Sequence, residues 1–392
     1  MANSFSWFSD TWLKMKTSLF KNKDDSSIPL DQVSRFYQSE LYQSLDAEIK
    51  SAFYDGPLGG LDSRIIERKD LAFLNTSHQL WENGRNISCA IYGEKGTGLS
   101  TLINLFLNDL KQRNKTYKQI NFIKRLSDEH DVIDAFCKQL NISMPEYKLD
   151  SFIDQLNDLQ PMVIAVDDLH YLVQRTMSAQ KVINCISTII LASRGHHFWL
   201  FAAEEQSWRR LCYGYQFDSL ISDQHHVSNF TDKQIHELLI KRFSYAGFNS
   251  INDVSLETLS PDKGTLQEIS KRSKGCIELG LFYCLSHLTH GTKPKSIFLR
   301  TPQDINTSAL KKLTQNELFT LAEICVHGQL SPKEHAKVFR THDNESKMIL
   351  EHLRVLGILD QIEEPSHNQA YKLKLIISAV VIRYLISMNY LY

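Results

Sequence analysis

Residues 87–107, ISCAIYGEKGTGLSTLINLFL, constrain the fold more than any other stretch of the chain, because they read as a buried strand, a glycine-rich turn and an amphipathic helix. Gly93, Gly98 and Ser100 fill the frame G-x-x-x-x-G-K-[ST], and Leu99 stands where that frame has its lysine. Glycines at 93, 96 and 98 let the backbone turn with φ > 0, so that successive N–H groups converge on an anion at the N-terminus of a helix beginning near Leu99. The expected cradle is Gly93, Lys95, Gly96, Thr97, Gly98, Ser100 and Thr101. In such a loop the lysine reaches the outer phosphates and the following hydroxyl ligates Mg²⁺; Ser100 can do the second and Leu99 cannot do the first. Lys95 is the cation inside the loop that can approach a phosphate from another direction.

A second motif lies downstream. Residues 161–168, PMVIAVDD, form an apolar strand ending in two carboxylates, and a strand with a helix on either side separates it from the glycine loop. A parallel sheet borders its ligand crevice with the C-terminal ends of its strands, which brings these acids beside the loop. Asp167 is then expected to hold Mg²⁺ with Ser100, and Asp168 to be the catalytic acceptor that polarises an attacking water. An apolar strand ending in acids is common alone. The pairing with the loop gives it weight.

Composition narrows the class. The chain has 392 residues, 42% of them apolar, and a net charge of −1, so nothing global points to nucleic acid. Seven cysteines are scattered with no C-x-x-C, a pattern of reduced thiols in a cytoplasmic protein and not of a disulfide frame or zinc site. No apolar run approaches the roughly 18 residues of a membrane-spanning helix.

Residues 4–21 place Phe5, Phe8, Trp12, Met15 and Leu19 on one helical face, and residues 1–23 carry a net charge of +3. That face suits an anionic membrane surface, and better still a helix docked on the protein's own body or on a partner. The periodicity predicts further helices over 30–54, 65–81, 147–159 and 178–193, and strands over 117–126 and 197–203. Residues 231–290 turn helical throughout. Residues 305–392 read as three helices, a hairpin around 363–368 and a last apolar helix over 378–391, the layout of a winged helix. Third helices of such modules enter the DNA major groove, but ten Lys/Arg against nine Asp/Glu leave this one near neutral, which favours protein contact at least as much.

Residues 60–290 resemble the AAA+ branch of the P-loop NTPases, in particular the initiator and transposition-regulator types in which a helical lid and a winged helix follow the core. The resemblance implies an α/β fold: a P-loop parallel sheet with helices on both faces, then the lid and the winged helix. It divides the chain into an extension (1–57), a core (58–230), a lid (231–300) and a winged-helix domain (301–392). It implies ATP or ADP with Mg²⁺ as cofactor, assembly into a homo-oligomer and a nucleotide-dependent switch passed to a partner. Three departures point the other way: Leu99 replaces the lysine, Ala203 takes the position of a polar sensor with Glu204 beside it, and no arginine follows Gly275 in the lid. Arg209 and Arg210 are candidates for a finger into a neighbouring subunit, although a solvated helix face fits them too.

The leading expectation is therefore a regulatory protein with a degenerate nucleotide site, weak or absent hydrolysis, and action through protein contacts. The alternative is an active ATPase switch that uses Lys95 or a neighbour's lysine, with DNA contacted through 305–392 or a membrane surface through 1–23, at the periphery of an otherwise cytoplasmic location.

Overall fold

A computed structural model describes residues 27–173, 177–291, 293–363 and 369–392. The helix expected over 4–21 and the hairpin tip at 364–368 lie outside the described residues. Strand β1 (Ser27–Pro29) pairs in parallel with Asp304–Asn306, far along the chain. The periodicity over 30–54 predicts one helix, whereas the structure has three short ones, Leu30–Ser34, Glu40–Gln43 and Ala47–Ala52. Serine chemistry breaks the run. The Ser39 hydroxyl donates to the Phe36 carbonyl at 2.6 Å and accepts from the Tyr42 amide at 3.2 Å, and Ser44 donates to the Leu41 carbonyl at 2.9 Å. The apolar spacing still holds: Val33, Phe36, Leu41, Leu45, Ile49 and Phe53 are all buried in one cluster with the lid.

The central sheet contains β2 (Ser88–Gly93), β3 (Tyr117–Asn121), β4 (Val163–Asp167), β5 (Phe198–Glu204) and β6 (Asp223–His226), all parallel, in the order β3-β4-β5-β2-β6. Its central strands are apolar on both faces because helices cover both. On β4, Ile164 and Val166 join Trp199 and Phe201 of β5 on one face, against the helices Glu129–Leu140, Leu149–Asp158 and Met177–Ser193. The alternating Val163, Ala165, Phe198 and Leu200 face the helices Asp70–Glu82 and Leu99–Gln112. Two predicted elements are shorter than their patterns. The strand over 117–126 ends at Asn121, where the chain leaves the sheet, and the helix over 65–81 begins only at Asp70, because Arg68 is drawn into contacts with the phosphate loop.

The lid has helices Asp232–Tyr245, Thr265–Ser273 and Ile277–His287, the first opened by a Thr231/Gln234 capping box. Between and after them lies a small ladder unforeseen in the sequence: β7 (Ser250–Ile251), β8 (Val254–Ser255), β9 (Leu288–His290) and β10 (Ser296–Leu299), in the order β8-β7-β10-β9. Helix Ile277–His287 is buried around its whole circumference from Glu278 onward, the state expected of a helix without a polar face.

After β11 (Asp304–Asn306), the C-terminal module runs helix Gln315–His327, β12 (Gln329–Leu330), helices Pro332–Phe339 and Asp343–Val355, then β13 (Leu359–Glu363) and β14 (Gln369–Leu373). The strands form an antiparallel sheet in the order β12-β14-β13, which completes a winged helix. Capping boxes at Thr314/Glu317 and Ser331/Glu334 start its first two helices. The last helix, expected over 378–391, occupies Leu375–Ser387 and packs back on the lid cluster through Ile377, Val381 and Leu385. The expected class is thus the observed one: parallel α/β core, helical lid and winged helix. No described helix is long and apolar enough to cross a membrane.

Candidate functional site

The glycine loop leaves β2 and turns at Gly96 (φ +88°) and Gly98 (φ +78°) into helix Leu99–Gln112, so the expected cradle backbone is formed. Beside it lies a cavity of about 240 Å³, lined by residues 94–102 together with Asp167, Asp168, His170, Ala203, Glu204, Arg242, Ile277 and Glu278. The two sequence motifs therefore meet. Ser100 Oγ donates to Asp167 Oδ2 at 3.3 Å, and Asp167 Oδ1 accepts from the Asp168 amide at 2.8 Å. Two cradle hydroxyls are turned to structural use: buried Thr97 donates to the Glu94 carbonyl at 2.8 Å, and Thr101 accepts from the Leu58 amide at 3.2 Å.

The acids crowd one another. Burial pushes Asp168 up to about 7, assisted by repulsion from Asp167 and Glu204. Asp167 is also raised by burial, against the pull of the Asp168 amide and the Ser100 hydroxyl. His170, two residues after Asp168, is driven down to about 3 by burial and by Arg125 and Lys95, and stays neutral. Glu204 ends β5 in the neighbourhood of the expected sensor, and Ala203 before it is buried.

Lys95 lines the cavity and is paired there within the chain. Its Nζ lies 3.2 Å from Glu204 Oε1, and although burial works against its charge, that carboxylate raises its pKa. The arginines on the cavity wall also bond to the chain, to different extents. Arg68 donates to Asp70 at 2.8 Å, to the Ser228 carbonyl at 2.8 Å and to the Thr97 carbonyl, and lies over the Phe230 ring. Arg64 holds Asp62 and the Ser51 carbonyl, and Arg242 donates to the Ala52 carbonyl at 2.8 Å. Arg209 pairs with Glu205 within its own helix.

Glu278 is the residue that the motif reading missed. The sequence has no arginine immediately after Gly275, and the structure puts a carboxylate there. Glu278 is 6% exposed, accepts from Cys276 Sγ at 3.1 Å, and its carboxylate lies against Gly96, where a β-carbon would have to displace it. Burial raises its pKa. Its signal was present in the sequence as a reversal of charge at the lid position, three residues after Gly275.

The donor set fits half of the implied cofactor. Ser100 and Asp167, 3.3 Å apart, are the residues that would hold Mg²⁺, offering the hard oxygen ligands that ion requires. The phosphate half does not fit: Leu99 has no charge to offer, Lys95 is taken by Glu204, and Glu278 brings a negative group to the cradle.

The crowded acids predict a pH effect. Asp168 binds its proton more tightly folded (about 7) than at its ordinary value of 3.8, so its contribution favours the fold at low pH and is lost as pH rises toward 7. Asp168→Asn removes the loss, and its melting temperature at pH 8 should exceed that of the parent by on the order of 2 °C, with the gap closing toward pH 4. Half of the Asp168 side chain reaches solvent, which holds the effect to that size. Calorimetry at the two pH values reads it, and a variant less stable than the parent at pH 8 would mean that a cation holds the carboxylate.

No family model and no curated protein matches the chain. Solved structures similar to it include the ORC2 protein of Aeropyrum pernix in ADPNP–ADP complexes (14% identity, 86% of this chain and 98% of that one, TM-score 0.43). Two more are the ORC1 protein of Aeropyrum pernix in complex with DNA (12%, 88% and 98%, TM-score 0.45) and Cdc6p from Pyrobaculum aerophilum (17%, 88% and 99%, TM-score 0.46). Likeness this distant bears no weight of its own. The architecture stands on the strand order, the glycine loop and the winged-helix ladder.

Proposed function

We propose that this chain is a AAA+-like regulatory protein whose nucleotide site is degenerate, binding ATP weakly or not at all and acting through protein contacts. The observation that carries the reading is the Glu278 carboxylate against Gly96, in a cavity whose loop cation, Lys95, is paired with Glu204. A bound triphosphate loses the charge-assisted contacts of the missing lysine, roughly 1.5–3 kcal/mol each, and meets repulsion in their place. Protein contact is supported by the third winged-helix helix, where Met348 is 74% exposed and exposed Asp343 and Glu345 offset exposed Lys347, a surface with no net positive charge for phosphates. Isothermal titration with ATP–Mg²⁺ is expected to give no saturable heat at micromolar concentrations. Turnover at ordinary ATPase rates, abolished by Asp168→Asn, would refute the reading.

DNA contact is a second reading, favoured by one observation. Lys333, Lys337 and Arg340 stand exposed at helical spacing around Pro332–Phe339, without ion-pair partners among the described residues. A mobility shift that weakens steeply with salt and is lost when the three are changed to alanine would establish it.

A further inference from the structure

We propose that a second cavity, on the edge of the core sheet away from the glycine loop, binds a free α-amino acid through both its ammonium and its carboxylate. The proposal goes beyond the nucleotide-site reading and does not depend on it. The cavity has a volume of about 610 Å³, within the roughly 300–1,000 Å³ of small-molecule sites. It is lined by residues that precede strands, Thr116 before β3, Met162 before β4 and His196 before β5, and by the end of helix Asp70–Glu82. The glycine loop follows β2 and Asp167 ends β4, so the two cavities lie at opposite edges of one sheet.

His78 marks the second cavity as a place for a polar occupant. It is 0% exposed, lines the cavity, and neither ring nitrogen has a hydrogen-bond partner among the described residues. A buried polar atom without a partner is rare in folded proteins, and here one ring carries two. The ring packs among Trp81, Phe106 and Phe198, with centroids 5.5, 6.0 and 5.6 Å away. Burial lowers its pKa, so the imidazole is neutral and one nitrogen offers a lone pair. Nδ1 stands 3.8 Å from Glu82 Oε2, too far for a hydrogen bond. Two acceptors at that spacing can share one ammonium, whose three hydrogens reach separate partners. A metal ion would need more ligands, and no three His, Cys, Asp or Glu among the described residues come together to hold one.

The other oxygen of Glu82 places the partner for the ligand's carboxylate. Lys115 Nζ lies 2.5 Å from Glu82 Oε1, on a side chain 45% exposed, and that contact uses one of its three hydrogens. The two seats thus sit on the two oxygens of one side chain, a separation that the α-carbon of an amino acid spans. A ligand of one sign alone leaves a surplus, since an amine adds its charge to that of Lys115 and an acid adds its charge to that of Glu82. A zwitterion satisfies both and adds none. Trp81, Pro161 and Met162 line the same cavity and offer contact to an apolar side chain.

Titration calorimetry on the full chain with L-leucine, L-methionine and L-phenylalanine tests the site. At least one is expected to bind with Kd of about 1 mM or tighter. For that amino acid, the N-acetyl derivative lacks the ammonium and the amide lacks the carboxylate, and each should bind more weakly by roughly tenfold or more. Lys115→Met is expected to weaken the amino acid by about tenfold while its amide binds at least as tightly as to the parent. Glu82→Gln should weaken both. Melting of each variant at the parent's temperature shows that it is folded. If none of the three binds at about 10 mM, or if the blocked derivatives bind as tightly as the free amino acid, the site is wrong. Equal loss of amino acid and amide in Lys115→Met overturns it as well.

Discussion

Leu99→Lys combined with Glu278→Arg is expected to raise affinity for ATP–Mg²⁺ by roughly 10²–10⁴-fold. The backbone that binds phosphate is already in place, since Gly96 and Gly98 turn with positive φ and helix Leu99–Gln112 begins at the loop. On the reading proposed above, what the loop lacks is a cation free to meet a phosphate. Each substitution supplies one charge-assisted contact worth roughly 1.5–3 kcal/mol, and the second also withdraws the carboxylate from Gly96. The two are not additive. A lysine at 99 alone faces Glu278, Asp167 and Asp168 and pairs with them before it meets a phosphate, so the single variant gains little. A double-mutant cycle read by calorimetry should show the combined gain exceeding the sum of the single ones. Binding should recover more than turnover, because Ala203 still puts no polar group where a sensor belongs. A double variant that folds normally and stays as indifferent to ATP as its parent would place the defect outside the phosphate seat.

The same site shows what a sequence can and cannot reveal. The glycine loop and the acid-ended strand were legible because each is local: positive-φ glycines at fixed offsets, an apolar run and a pair of carboxylates. Their meeting, at 3.3 Å between Ser100 and Asp167, followed from parallel-sheet geometry. The winged helix was legible for a similar reason, its caps and hairpin being written in short segments such as Ser331–Glu334 and 363–369. Glu278 was not, because its role depends on the lid folding over Gly96, a contact between residues almost half the chain apart. The partner of Lys95 was not legible for the same cause: Glu204 is brought beside it by the adjacency of β2 and β5. In residues 30–54 the apolar spacing was read correctly as a buried face, yet side-chain-to-backbone bonds at Ser39 and Ser44 divided the helix that the spacing suggested. The ladder β7–β10 has strands of two to four residues, too short for any periodicity to register.

Arg125→Ala should destabilise the protein by about 3–5 kcal/mol and loosen the winged helix from the core. Arg125 follows β3 and is 12% exposed at its side chain, a polar residue that no motif singles out. Its Nε donates to Glu334 Oε1 at 2.6 Å, its Nη1 to the carbonyls of His170 at 3.1 Å and Val173 at 2.9 Å, and its Nη2 to the carbonyls of His327 at 2.9 Å and Gln329. One guanidinium thus joins the segment after β4 to the turn between the first two helices of the winged-helix module. Nearby, Ser207 donates to the Val326 carbonyl at 2.8 Å, and Gly328 (φ +73°) leaves the room that the His170 ring fills. Removing the guanidinium strands Glu334, which also holds the Ser331 cap, at a half-buried junction. Arg125→Lys should recover little of the loss, because a single ammonium cannot serve acceptors on two sides as a planar fork does. Thermal unfolding gives the size of the effect. Hydrogen exchange separates it from a general weakening, with amides near 327–334 and 170–173 exchanging faster while those of β2 and β5 keep their protection. A loss below about 1 kcal/mol, or uniform acceleration across the core sheet, would remove Arg125 as the tie between the two modules.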